Sequence, residues 1–99
     1  GAATRPIMLR IAYQCVQAVS IPVIGCGGIG SASDALEFLL AGCSAVQVGT
    51  ANFVSPTTMP RLIEDLVKYC ERHGITRIAD IIGAVRMHEP IQLQKAAAL

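Results

Sequence analysis

Two short apolar segments that each run into glycine place the strongest constraint on the fold. Residues 21–30 read Ile-Pro-Val-Ile-Gly-Cys-Gly-Gly-Ile-Gly, and residues 45–50 read Ala-Val-Gln-Val-Gly-Thr. Their continuous apolar character predicts strands over residues 21–24 and 45–48 in a parallel sheet that is covered on both faces. The two glycine turns are one strand-helix-strand unit apart in the chain. Because parallel strands end at the same edge of a sheet, we expect the turns to lie side by side.

Helical periodicity fills the chain around these strands. It predicts helices over residues 6–19, 34–41 and 60–73, a loop over residues 50–58 and a short helix over residues 78–82. Alternation of helices and strands in this order is typical of α/β folds with helical crossovers. Residues 84–99 carry little pattern, and we treat residues 1–99 as part of one domain with a weakly patterned tail.

The helix pattern also predicts buried faces and helix ends. The first helix should bury Met8, Ile11, Ala12, Cys15 and Val19, and the third should bury Leu62, Ile63, Leu66, Val67 and Cys70. Ser31 or Ser33 should cap the second helix, and Gly42 should end it in a left-handed conformation. Gly74 should end the third. Asp34 and Glu37 are interpreted as a cap-region charge and a solvated charge.

Composition excludes several classes of protein. The net charge is +1 with no basic run, which gives no electrostatic footprint for nucleic acid or an anionic membrane. No apolar run approaches the roughly 20 residues that span a bilayer. The four cysteines lack a C-x-x-C pairing, and no side chains have the spacing of a metal site. We therefore expect reduced thiols, no disulfide, and a cytoplasmic location.

The paired glycine turns favour binding of a phosphate group. Gly27, Gly28 and Gly49 would let an anion approach backbone N–H groups, and Thr50 could add a hydroxyl donor. Neither a P-loop nor the dinucleotide fingerprint is present, because no Gly-Lys-Ser/Thr follows and no acidic residue ends the next strand. The alternative is that these glycines only form tight turns between strands and helices.

Length sets the scale of the fold. A complete (β/α)8 barrel needs roughly 250 residues and often binds phosphate in the loops after its seventh and eighth strands. With 99 residues and no initiator Met, the chain is interpreted as the C-terminal part of such a TIM barrel, comprising the last two strands with their helices.

Three segments, residues 21–29, 34–42 and 45–53, strongly resemble class 1 dihydroorotate dehydrogenases, most closely the NAD-linked 1B branch. The similarity extends from residues 5–10 to about Gly83. It implies a barrel that carries FMN and oxidises dihydroorotate to orotate in pyrimidine biosynthesis. It also implies that Gly27, Gly28, Gly49 and Thr50 hold the FMN phosphate and that Gly1 contacts FMN.

The resemblance extends to partners and shows what the chain lacks. The 1B enzymes pass electrons to a partner subunit with FAD and a 2Fe-2S cluster, and a homo-oligomer is expected. The family's catalytic cysteine, flavin-contacting lysine and orotate-binding asparagines belong upstream of Gly1. We therefore assign no catalytic residue, expect the isolated chain to be inactive, and interpret Cys26 as a compact apolar residue and Asn52 as a loop-fixing one.

Two alternatives remain open from the sequence. One is a different FMN-binding or phosphate-binding barrel oxidoreductase. The other is a non-catalytic truncated piece of a barrel that self-associates, because two strands leave two open sheet edges.

Overall fold

A computed structural model describes residues 2–85. Its helices are α1 (Arg5–Ala18), α2 (Ala32–Ala41), α3 (Thr50–Val54) and α4 (Thr58–Arg72), its strands are β1 (Ile24–Cys26) and β2 (Ala45–Gln47), and short 3-10 helices cover Ala2–Thr4 and Ile78–Ile81. The predicted α/β order is confirmed, with α3 as an additional helix. The predicted tail lies outside the described residues from position 86 onward.

The two strands form a parallel pair with α2 as their crossover. Ile24 pairs with Ala45, Gly25 with Val46, and Cys26 with Gln47. The prediction of a first strand over residues 21–24 is wrong at its start. Pro22 has no N–H to donate to a ladder, and the carbonyl of Val23 instead accepts the N–H of Ser44 at 2.8 Å. The strand therefore includes two residues that the sequence assigns to the turn.

Local signals set both ends of α2. The Ser31 hydroxyl accepts the N–H of Asp34 at 3.3 Å, so Ser31 and not Ser33 is the cap, and the helix begins two residues earlier than predicted. Gly42 ends the helix at φ 118°, which confirms the left-handed stop. A Cβ at Gly42 would lie 2.5 Å from Cγ1 of Val16, so this glycine also permits close packing against α1.

The core lies between α2 and the sheet. Phe38 and Cys43 are fully buried, and a Cβ on Gly25 would lie 2.5 Å from Cδ1 of Phe38. Burial of a Phe side chain contributes about 1.5–3 kcal/mol. The buried cluster consists of Ala12, Ile29, Ala35, Phe38, Cys43 and Leu62. Gly25 is thus the position at which the aromatic ring of α2 reaches the strand backbone.

The opposite face of the sheet is open. Ile24 is 57% exposed, and its neighbours on that face, Cys26, Ala45 and Gln47, are exposed as well. The prediction of strands covered on both faces is wrong for residues 2–85, because α1 and α2 pack only on the face that carries Gly25 and Val46.

The predicted buried face of α1 is also wrong in part. Ala12 is buried and Met8 partly buried, but Ile11, Cys15 and Val19 are exposed. The helix packs instead through Met8, Ala12 and Val16, which are spaced four residues apart.

In α4, Leu62 is buried and Leu66 and Cys70 are partly buried, whereas Ile63 and Val67 are more than half exposed. One side of the predicted apolar stripe therefore meets the core and the other side meets solvent.

The ends of α4 follow from backbone chemistry. The helix begins at Thr58, two residues before the predicted start, because Pro60 occupies the first turn, where its missing N–H needs no acceptor. At the other end Gly74 has φ 68°, and the N–H of Ile75 donates to the carbonyl of Cys70 at 2.8 Å. The predicted glycine stop is confirmed.

Candidate phosphate-binding site

The two glycine turns share one open cleft at the carboxyl ends of β1 and β2. Its volume is about 400 Å³. It is lined by Cys26, Gly27, Gly28, Ile29, Gly30 and Asp34 from the first turn and its helix, and by Gln47, Gly49, Thr50, Ala51 and Val54 from the second. The fold thus brings Gly27, Gly28, Gly49 and Thr50 to one site, while Gly1 lies outside the described residues.

The backbone of the first turn requires glycine. Gly27 has φ 122° and Gly28 has φ 75°, in the left-handed region that other residues rarely adopt. A Cβ on Gly27 would lie 2.6 Å from Cγ of Met8 in α1. Gly27 is therefore explained by the turn and its packing, without a ligand.

Gly49 in the second turn has neither a left-handed φ nor a close neighbour at its Cβ position among residues 2–85. Its φ of −112° lies outside the left-handed region. Apart from its chain neighbours, no heavy atom of residues 2–85 lies within 4 Å of the position that a Cβ would occupy. A side chain at position 49 would therefore extend into free space at the cleft.

Helix α3 replaces the loop predicted over residues 50–58. The amide of Asn52 donates to the carbonyl of Val48 at 2.9 Å, as expected of a loop-fixing residue. At the other end, the Thr58 hydroxyl donates to the carbonyl of Ser55 at 2.7 Å, and the carbonyl of Ala51 lies 3.2 Å away. A run without Gly or Pro between Gly49 and Pro56 is a helix signal that could have predicted α3.

The first turn of α3 faces the cleft through Thr50 and Ala51. The leading N–H groups of a helix have no acceptor within the helix and can bind an anion. In α3 the N–H of Asn52 already donates to the carbonyl of Gly49 at 3.0 Å, so the N–H groups of Thr50 and Ala51 are the candidates. Ala51 is thus a candidate site residue that the sequence analysis missed. Helix α2 contributes the Asp34 side chain to the cleft, whereas its Ala32 and Ser33 line a separate groove against α4.

Asp34 is the charged side chain among the residues that line the cleft. Its Oδ2 accepts the N–H of Gly30 at 3.0 Å, and its Oδ1 lies 2.9 Å from Nη1 of Arg5. Arg5 also approaches Glu37, with Nε 3.3 Å from Oε1. Asp34 is therefore a charge in the cap region of α2, as predicted, and its contacts with Gly30 and Arg5 hold it in place.

The four cysteines are free and lie in different environments. Cys26 and Cys15 are exposed, and Cys26 lines the cleft. Burial, and secondarily the charge of Cys15, raises the pKa of the Cys43 thiol above 9.0, so this group stays protonated at neutral pH. Across residues 2–85 no cluster of three or more His, Cys, Asp and Glu side chains could hold a metal ion.

Within residues 2–85, each helix is too short or too polar to cross a bilayer. The parallel strand pair and the cleft at its carboxyl end define an α/β protein with a candidate anion site where the two strands end.

The family model for dihydroorotate dehydrogenase matches residues 1–69. The chain belongs to the dihydroorotate dehydrogenase family. It is 57% identical over 83 residues to the catalytic subunit of dihydroorotate dehydrogenase B (NAD(+)) from Halalkalibacterium halodurans, which covers 84% of this chain and 27% of that protein. The same subunit from Phocaeicola vulgatus is 52% identical over 87 residues, 88% of this chain and 29% of the relative.

The chain also resembles a solved structure. A crystal structure of DHODH from Eimeria tenella in complex with ferulenol superposes with a TM-score of 0.65 at 27% identity, covering 79% of this chain and 23% of that one. The chain thus spans less than a third of the length of the relatives that it matches.

Proposed function

We propose that this chain forms the last two strands, with their helices, of an FMN-carrying (β/α)8 barrel of the NAD-linked dihydroorotate dehydrogenase type. The complete cytoplasmic protein would oxidise dihydroorotate to orotate, and this part would bind the phosphate of FMN. Membership of the family and the names of the relatives support the reaction. The phosphate role rests on the cleft.

The observation that carries the phosphate role is Gly49. A left-handed φ and close packing explain glycine at position 27, whereas Gly49 has a negative φ and open space among residues 2–85 at its Cβ position. Barrels of this class often bind phosphate between the loops after the last two strands and the N-terminus of a short extra helix. Helix α3 is a short helix directly after β2, which supports this proposal. Gly27, Gly28, Gly49 and Thr50 would hold the phosphate, and Gly1 would contact FMN.

Bound FMN would supply the two-electron chemistry of the reaction. The residues of this chain would bind and orient the cofactor through backbone donors. A proton acceptor would come from outside the chain, because the cleft of residues 2–85 offers no activated base. The exposed face at Ile24 and Ala45 would be covered by the remaining strands of the barrel.

The electron acceptor belongs to the same proposal. A partner subunit with FAD and a 2Fe-2S cluster would receive the electrons and pass them to NAD, and the protein would form a homo-oligomer. The relatives' names, which specify NAD(+) and a catalytic subunit, support a separate electron-transfer subunit.

One observation favours the second candidate, a non-catalytic piece that self-associates. Ile21 is 70% exposed, Ile24 57% and Phe53 91%, and apolar surface of this kind promotes association. Sedimentation of the isolated chain tests this candidate. Oligomers that bind no FMN would support it, and a stable monomer would contradict it.

The test of the proposed function uses two variants of the full-length protein, Gly28→Asp and Gly28→Asn. Both residues tolerate the left-handed conformation better than other side chains do, and they have nearly the same shape. Only the aspartate places a negative charge beside the phosphate. We expect Gly28→Asp to lose FMN during gel filtration, with Gly28→Asn retaining more of it.

Riboflavin, which lacks the phosphate, is the matched ligand. The unmodified protein should bind FMN at least tenfold more tightly than riboflavin, since charge-assisted hydrogen bonds contribute about 1.5–3 kcal/mol each. Equal affinities for FMN and riboflavin would contradict the proposal, as would unchanged flavin content in Gly28→Asp.

A further inference from the structure

A negatively charged side chain at a site proposed for a phosphate dianion requires an explanation. Asp34 lines the same cleft as Gly28 and Gly49, and its side chain is 18% exposed. Like charges at short range repel, more strongly when solvent is partly excluded. An uncompensated carboxylate at this position would therefore weaken binding of any phosphate.

Arg5 supplies the compensating charge. Its Nη1 lies 2.9 Å from Oδ1 of Asp34, and the Arg5 side chain is 30% exposed. The guanidinium comes from α1, a separate element, so its placement depends on tertiary packing. Its second contact, with Glu37, involves a carboxylate that is 44% exposed and lies outside the cleft lining.

The other carboxylate oxygen of Asp34 holds the glycine turn. Oδ2 accepts the N–H of Gly30 at 3.0 Å. Gly30 lies where the two turns meet, since a Cβ on it would be 3.8 Å from Cβ of Ala51 in α3. Asp34 thus links α1 to the first turn, close to the start of α3.

Resting on the proposed function, we propose that Arg5 and Asp34 are positioning residues of the phosphate site. Asp34 fixes the glycine turn by accepting the Gly30 N–H, and Arg5 neutralises Asp34 so that its carboxylate does not repel the phosphate. Neither side chain needs to touch the ligand. The arrangement allows backbone amides to bind a dianion beside a carboxylate.

The test is a double-mutant cycle in the full-length protein, with Arg5→Gln, Asp34→Asn and the double variant. Dissociation constants for FMN and riboflavin are measured by quenching of flavin fluorescence. Arg5→Gln should weaken FMN binding about tenfold, because it leaves the carboxylate uncompensated, and change riboflavin binding less than about twofold. Adding Asp34→Asn should restore most of the lost FMN affinity, because asparagine keeps an acceptor for Gly30 without the charge.

Glu37→Gln is the matched control. It removes a carboxylate from the same arginine, one turn further along α2 and outside the cleft, so FMN affinity should stay within about twofold. Circular dichroism confirms that each variant is folded. If Arg5→Gln is unstable, Arg5→Lys takes its place, and because it retains the charge it should retain the preference for FMN.

The outcomes distinguish failure of the proposed phosphate site from failure of the charge-compensation inference that rests on it. If the unmodified protein shows no preference for FMN over riboflavin, the phosphate site itself is refuted, and this inference with it. If the preference is present but Asp34→Asn fails to rescue Arg5→Gln, or Arg5→Gln weakens both flavins equally, only the charge-compensation inference is overturned.

Discussion

Replacing Gly49 by alanine in the full-length protein distinguishes a ligand-binding glycine from a turn-forming one. In the described part of the chain, no heavy atom beyond its neighbours in sequence lies within 4 Å of the new Cβ, and φ is −112°. We therefore expect the free energy of unfolding to change by less than about 1 kcal/mol. FMN binding should weaken roughly tenfold to a hundredfold, because the methyl group would displace one phosphate contact worth about 1.5–3 kcal/mol.

Gly27→Ala is the internal comparison. Its φ of 122° costs of order 1–3 kcal/mol for a residue with a side chain. The new Cβ would also lie 2.6 Å from Cγ of Met8, a flexible side chain that can move at some further cost. We expect a total loss of about 2–4 kcal/mol in the free energy of unfolding.

The assay is urea unfolding of the FMN-free protein together with titration of each variant with FMN. The expected pattern is a stable Gly49→Ala protein that binds FMN poorly and a destabilised Gly27→Ala protein. Wild-type FMN affinity in a stably folded Gly49→Ala variant would refute the reasoning that free space at this position serves the cofactor.

Three further predictions concern packing, pH and access to the cleft. Gly42→Ala should lower the free energy of unfolding by about 2–4 kcal/mol, because φ is 118° and Cγ1 of Val16 lies 2.5 Å from the new Cβ. Adding Val16→Ala should recover part of this loss. If it recovers none, a clash with Val16 is not the cause. Burial raises the pKa of the Cys43 thiol above 9.0, so on raising the pH the unfolded chain loses this proton before the folded one does. The free energy of unfolding should therefore fall as pH rises above about 9. If Cys43→Ala leaves the pH dependence of the free energy of unfolding unchanged, this cause is excluded. FMN should slow alkylation of Cys26 in the cleft but not of exposed Cys15, as peptide mass mapping can show, and equal protection of both would argue against the site.

Local rules predicted much of the fold. The α/β order, the glycine that ends α2 and the glycine after α4 depend on interactions within a few residues, and all three are confirmed. The family was also evident from the turn motifs. Helix α3 was missed because a five-residue helix carries little periodicity, although the uninterrupted run after Gly49 contained a usable signal.

Burial could not be predicted in the same way, because it depends on which neighbours are present. Ile11 and Ile63 have helical apolar spacing, yet both are exposed, since α1 and α4 meet the core through Ala12 and Leu62. The same holds for Ile24, which carries the signature of a strand buried on both faces but has helices on one face only.

Local sequence patterns were enough to predict two apolar strands that end in glycine turns and to identify the dihydroorotate dehydrogenase family. The folded structure was needed to distinguish the glycines, since Gly27 has a left-handed φ and packs against Met8, whereas Gly49 has a negative φ and open space among residues 2–85 at its Cβ position. Folding also brings the guanidinium of Arg5 next to the carboxylate of Asp34, which their positions in the sequence do not predict. The physical reason is range: backbone conformation and helix periodicity are local properties of the chain, whereas packing space and charge compensation arise between segments that only folding brings together.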